Sequence, residues 1–316
     1  MMTFKPSFVL VIFSIVISMV FIMSDASESP AEIYWKTKVG NIHMPKSLRI
    51  SLQPGSNDRT VKLNPHYKLP TIDEHPAIDD CIFFWGKEVN NSQIPRDGRA
   101  VYFTNDESFT VGKKLKLHFK NIDNKAKFLP LPVSKSLPIA SDKLQEVLNI
   151  LSVNPKSILA QDIEITMKKC EEKGVKGENR YCATSLEAMV DYVTLILNSG
   201  KNKLKVLATK EDNGVFMEYK IEKIHKLEGD DNHNMVCHKL GNPYVVFFCH
   251  NVKNTHIYEV SLVGANGNQT KAVAVCHKDT SHWNPRHYAF ELLKTKPGGK
   301  PVCHFLSADA IAFLPN

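Results

Sequence analysis

Four adjacent Cys-His pairs carry most of the chemistry open to this sequence: Cys237-His238, Cys249-His250, Cys276-His277 and Cys303-His304. Ten residues separate the first pair from the second, and twenty-five separate each later pair from the one before it. Thiolates and imidazoles bind borderline and soft metals, while thiols in an oxidising compartment close disulfides. Successive side chains on a strand point to opposite faces, so a dyad on a strand cannot easily bring both its groups to one ion. The simplest arrangement puts the sulfurs on one side and the imidazoles on the other. The four sulfurs then pair as two disulfides, and His238, His250, His277 and His304 are free to converge. Clustered neutral imidazoles with few thiolates suit copper(II) or zinc. A mixed Cys/His zinc site is a second reading, but zinc ligand pairs usually stand about two to five residues apart, whereas these are adjacent. A third reading is purely structural, with bridged cysteines and hydrogen-bonded histidines. Four cysteines admit three pairings, and the sequence does not choose among them.

The remaining cysteines are Cys81, Cys170 and Cys182. Cys170 and Cys182 enclose eleven residues, Gly174 and Gly177 among them. They are expected to form a disulfide worth roughly 3 kcal/mol in the chain-entropy model. With seven cysteines in the chain the count is odd, and Cys81 is the one left over. His282, Trp283 and His287 follow the third dyad closely and are candidates for orienting ligating imidazoles.

Elements that could position these groups begin near residue 100. Val111 to Phe119 alternates apolar and basic residues as a strand does. Ser141 can cap a helix with Leu144, Val147, Leu148 and Leu151 on one face, and a second helix is expected from about Ser157 to Cys170. Thr184-Ser185-Leu186-Glu187 has capping-box form and opens a third helix with Leu186, Met189, Val190, Val193 and Leu197 inward. Short β runs follow at Val215–Ile221, Tyr244–His250, His256–Val263, Thr270–Cys276 and Pro301–Leu306. Ala265-Asn266-Gly267-Asn268 makes a hairpin turn between the third and fourth. The fold class expected is α+β: a helical N-terminal part of the domain, then a mainly antiparallel β part carrying the dyads.

Residues 1–26 read as a secretory signal peptide, with Lys5 before an apolar run from Phe8 to Met23 and small residues in Ser24-Asp25-Ala26. The sixteen-residue run covers about 24 Å as a helix, short of the roughly 30 Å hydrocarbon core, so no membrane association is expected after cleavage. Residues 27–99 are expected to be a variable, largely irregular segment, interrupted by Pro30, Pro45, Pro54, Pro65, Pro70 and Pro76. The domain is expected over 100–316. Secretion makes the sequons at Asn90 and Asn268 candidate glycosylation sites. The net charge of +7 is spread without a Lys/Arg block, which excludes a phosphate-tracking nucleic-acid face and leaves acidic wall polysaccharide as a Coulombic partner. No Gly-rich phosphate loop and no Gly-x-Ser-x-Gly elbow is present, so neither a nucleotide site nor a hydrolase is expected.

The dyad intervals resemble the signature of the plant BURP-domain family, with Phe313 where the family has a terminal Trp. The surroundings are similar as well: Tyr181-Cys182-Ala183-Thr184-Ser185-Leu186-Glu187, Asp279-Thr280-Ser281, Trp283-Asn284-Pro285, and Pro301-Val302-Cys303-His304-Phe305-Leu306. The opening Ala31-Glu32-Ile33-Tyr34-Trp35-Lys36 through Met44-Pro45-Lys46 looks like the start of the seed-protein branch. The family's Phe-Phe near the domain start is Phe103-Thr104 here. The resemblance implies a secreted or vacuolar protein of the seed or stress-associated type, acting in the apoplast and cell wall or in the storage vacuole. It also implies copper at the dyad histidines, since some members of the family are copper-dependent peptide cyclases. On that second reading the enzyme's groups are His238, His250, Cys276, His277 and His304. Its substrate is the chain's own N-terminal segment ending in Trp85, within Asp80-Cys81-Ile82-Phe83-Phe84-Trp85-Gly86-Lys87. The competing and preferred reading of that segment is an apolar strand docking onto the domain. A non-enzymatic role is the first reading, because the core is single and imperfect.

Overall fold

The computed structural model describes residues 28–52, 102–103, 109–117, 119, 126–201, 203–210, 217–240 and 243–316. The expected signal peptide, Cys81, Trp85 and Asn90 lie outside the described residues.

Helices α1 (Pro30–Lys38) and α2 (Lys46–Ser51) fall in the stretch expected to be irregular. Proline starts rather than breaks both. Pro30 sits in the first turn, where no backbone donor is needed, behind a reciprocal cap between Ser29 and Glu32, and Pro45 is the N-cap of α2. After strands β1 (Tyr102–Phe103) and β2 (Lys114–Leu117) come helices α3 (Leu131–Ser136), α4 (Leu144–Ile150, entered through a 3₁₀ turn at Ser141–Lys143) and α5 (Ile158–Glu171). Strand β3 (Asn179–Ala183) leads into α6 (Leu186–Ile196). Strands β4 (Leu204–Ala208), β5 (Met217–Lys226), β6 (Met235–Leu240), β7 (Val246–Asn251), β8 (Thr255–Gly264) and β9 (Gln269–His277) follow. The chain ends with α7 (Tyr288–Leu292), β10 (Val302–Phe305) and β11 (Ile311–Pro315).

The strands form two antiparallel sheets, one ordered β1-β10-β9-β8-β5-β2 and the other β3-β7-β6-β11-β4. The α+β class is therefore observed, but β1 and β2 precede the helices of the domain and β3 interrupts them. Ser157 and Ser185 cap α5 and α6 through Ala160 N–H and Ala188 N–H. The α6 cap is thus one residue later than the Thr184 capping box predicts, and the Thr184 hydroxyl bonds Ser134 instead. Ser141 makes no side-chain cap. The β8–β9 hairpin forms as expected, with Gly267 at φ +79 in the turn.

Alternation along the strands divides the core. Met235, Cys237, Phe247, Cys249 and Phe313 share one apolar cluster with Trp35 and Leu48 of the N-terminal helices and Leu186, Met189 and Val193 of α6. The opposite face of that sheet is covered twice. Helices α4 and α5 meet Val246, Phe248 and Leu240, while Val236, Ala312 and Leu314 meet Ile257, Val273 and Val275 of the six-stranded sheet. The outer face of the six-stranded sheet buries Cys276, Cys303, Tyr258, Val260 and Leu262 against Phe103, Phe109 and Phe119.

Candidate functional site

Each dyad is split by the pleat of its strand. Cys237 and Cys249 lie directly opposite in the β6–β7 register, 3.9 Å apart at Cα, and form a disulfide. Cys276 and Cys303 do the same across β9 and β10 at 4.0 Å. Of the three pairings open to these sulfurs, neighbouring strands select the one that joins first to second and third to fourth. Both bridges are fully buried on the outer faces of their sheets. Cys170–Cys182 joins the end of α5 to β3 as expected, with Cα atoms 5.8 Å apart.

The imidazoles project from the opposite faces, toward the interior between the sheets. His238, His250, His277 and His304 keep only 1%, 7%, 3% and 6% of their surface exposed. They meet in two pairs. Nε2 of His238 stands 3.2 Å from Nε2 of His250, and the rings of His277 and His304 stack with centroids 5.7 Å apart. Three of the four have Nδ1 engaged: His250 donates to Glu178 Oε1 at 2.9 Å, His304 donates to the Phe305 carbonyl at 3.2 Å, and His277 bonds the Thr255 hydroxyl at 3.0 Å. The acceptor-only partners of His250 and His304 put the proton on Nδ1 and leave Nε2 as the ring's lone-pair donor, as second-shell partners do for metal-binding histidines. The Thr255 hydroxyl suits either tautomer of His277.

Burial holds His250 neutral against the pull of Glu178, lowering its pKa below the usual imidazole value. His277 is driven well below that value, first by burial and then by its neighbours His304, His250, His238 and His287. The two pairs therefore share one electrostatic environment. Two imidazole nitrogens that share a metal at about 2.0–2.1 Å, at angles from square to tetrahedral, lie about 2.8–3.4 Å apart. The His238–His250 separation falls in that range, and neutral buried imidazoles are the donor set that copper(II) or zinc takes. Among the described residues, no three His, Cys, Asp or Glu side chains stand together at metal-ligating spacing. The His238–His250 pair thus fits a metal as two donors, with His277 and His304 stacked nearby rather than assembled with it into one cage. Because all the dyad cysteines are bridged, a mixed Cys/His zinc site has no thiolate to use.

Of the three residues after the third dyad, the structure brings in two. Trp283 packs on His277 at 5.0 Å between ring centroids, and His287 packs on Trp283 at 4.8 Å. His287 is buried and its pKa is pushed down to about 3, chiefly by desolvation, with His304 and Lys169 adding to it. His282 is exposed and bonds the Ser281 hydroxyl. The residue that sequence reasoning missed is Glu178, whose side chain is wholly buried. It reaches the site because Arg180 lies opposite His250 in the β3–β7 register. Asn268 is exposed in the β8–β9 turn, a position that a glycan could occupy. Phe313, in place of the expected Trp, fills a fully buried site on β11. Trp35 is buried in the core, with its indole N–H bonded to the Ile42 carbonyl, while Ile33 two residues before it stays exposed. Among the described residues, no helix is long and apolar enough to cross a membrane.

A BURP domain model matches residues 101–315. "BURP domain protein RD22" of Arabidopsis thaliana is 39% identical over 237 residues, covering 73% of this chain and 60% of that protein. "BURP domain-containing protein 5" of Oryza sativa subsp. japonica is 37% identical over 295 residues, 92% of this chain and 88% of the relative. "Protein RAFTIN 1A" of Triticum aestivum is 34% identical over 232 residues, 72% of this chain and 59% of the relative. The chain therefore spans less than two thirds of two of these three relatives.

Proposed function

The chain belongs to the BURP-domain family, and on that premise we propose that it is a secreted or vacuolar plant protein of the seed or stress-associated type that binds copper(II) through His238, His250, His277 and His304 without turning over a substrate. The observation that carries this reading is the division of the dyads: sulfurs consumed in outward disulfides, imidazoles gathered inward with three Nδ1 atoms engaged. Three disulfides support an oxidising destination, the apoplast and cell wall or the storage vacuole. Copper bound to these imidazoles would supply a redox-active Lewis-acidic centre. Imidazoles at most 7% exposed favour holding an ion over admitting a bulky peptide, which supports the non-enzymatic role.

Copper uptake by the purified chain, compared with a variant in which all four dyad histidines are alanine, tests the binding. Intact mass spectrometry after incubation with copper(II) tests the absence of turnover. Uptake by the wild type alone, with the mass of the chain unchanged, supports the reading. Equal uptake by both proteins removes copper and leaves a structural role for the histidines. Loss of two hydrogens from the peptide containing Trp85 replaces it with an autocatalytic cyclase.

A further inference from the structure

Glu178 lies in the turn between α5 and β3, inside the loop that the Cys170–Cys182 bridge closes. Its carboxylate is fixed from several sides. Oε2 accepts from the Val175 N–H at 2.9 Å, and the Glu178 N–H donates back to the Val175 carbonyl at 3.0 Å. Oε1 faces Nδ1 of His250 at 2.9 Å and Nε of Arg180 at 3.7 Å. Arg180 is itself held, with one guanidinium nitrogen on the Glu172 carbonyl at 2.6 Å and its plane over Phe248. Gly174 allows the turn to close, since a Cβ there would meet Glu178 Oε2 at 2.8 Å and Arg180 Cδ at 2.7 Å.

A fully buried carboxylate is costly unless its oxygens are satisfied, and it accepts from a ring N–H only if the proton sits on the facing nitrogen. Pairing with Glu178 therefore requires the proton of His250 on Nδ1 and leaves a lone pair on Nε2, the atom 3.2 Å from Nε2 of His238. We propose that Glu178 is the positioning residue of this site, fixing the tautomer and ring orientation of His250 so that its Nε2 lone pair is presented beside His238. The use of that lone pair for copper rests on the reading given above, whereas the tautomer stands on the geometry alone.

Two measurements test the assignment separately. Long-range ¹H–¹⁵N NMR of the metal-free wild type with ¹⁵N-labelled histidine reads the tautomer. His250 is expected to show a protonated Nδ1 and an unprotonated Nε2; the opposite tautomer overturns the proposal. Copper(II) competition against a chromophoric chelator then compares Glu178→Ala with Glu178→Gln, which keeps an acceptor oxygen. Alanine is expected to weaken binding about 10–100-fold, and glutamine to recover most of the loss. Wild-type affinity in the alanine variant overturns the role at the metal. If that variant does not fold, the wild-type tautomer decides. Copper uptake by wild type no greater than by the four-histidine variant refutes the copper reading and leaves the NMR result to judge Glu178.

Discussion

The division of each dyad into scaffold and site makes a quantitative prediction for Cys237→Ala/Cys249→Ala. The two cysteines are 12 residues apart in sequence, and opening a loop of that size releases about 3 kcal/mol of chain entropy to the unfolded state. Both sulfurs are fully buried, so truncating them to methyl groups adds roughly 1–2 kcal/mol of lost burial. A total of about 4–5 kcal/mol is a large part of the roughly 5–15 kcal/mol by which domains are stable. The histidines should nevertheless stay in place. Strands β6 and β7 remain joined over the register from Val236↔His250 to Leu240↔Val246, and Glu178 still engages His250. Urea unfolding followed by tryptophan fluorescence should show the stability loss, while copper competition on the folded variant should match the wild type within about threefold, less than 1 kcal/mol. A folded variant that no longer takes up copper would refute the reasoning, because it would place the sulfurs in the site. An unchanged unfolding midpoint would refute the scaffold role.

Three further outcomes follow from the packing and the buried charges. Trp35→Ala should cost about 3–5 kcal/mol by urea unfolding, although it lies outside the matched domain, because the indole fills the core under α6. The pKa of His287 falls from 6.5 to about 3 on folding, so below pH 6.5 the unfolded metal-free chain binds more protons than the folded one. Its contribution is whole above pH 6.5 and is lost as pH falls toward 3, on the order of 5 kcal/mol, with His250 and His277 acting in the same direction. Urea midpoints measured from pH 7 to pH 4 should fall, and should fall less in His287→Phe. Asp162 works the opposite way: it is 1% exposed, no described residue bonds its oxygens, and burial raises its pKa from 3.8 to about 6. Its penalty is present above pH 6 and vanishes below 3.8, so Asp162→Asn should stabilise by about 3 kcal/mol at pH 7 and by little at pH 4.

What could be read from the sequence depended on whether the signal was local. Strand alternation around Cys276-His277 already implied sulfurs and imidazoles on opposite faces, and the eleven residues between Cys170 and Cys182 implied their bridge. The turn at Gly267 and the caps of α5 and α6 were legible to within a residue because a side chain and its partner lie three residues apart. The helices at 30–38 and 46–51 were not. Pro30 and Pro45 read as breakers unless a helix starts at them, and the apolar face of α1 has its partner in α6, more than 150 residues away. Strands β3, β4, β6 and β11 went unrecognised as runs; β6, which carries the first dyad, and β11 are buried on both faces and so do not alternate. Glu178 carried no signal, since its role depends on the β3–β7 register that sets Arg180 against His250, 72 residues from Glu178.

The central claim is that sulfur holds this domain together while imidazole nitrogen forms its site. Electron paramagnetic resonance of the copper(II)-loaded wild type, prepared without reductant, tests it most directly. The account predicts a spectrum with superhyperfine splitting from imidazole nitrogens, which changes when the histidines carry ¹⁵N. A spectrum with thiolate ligation, or one unchanged by ¹⁵N-histidine, would contradict it.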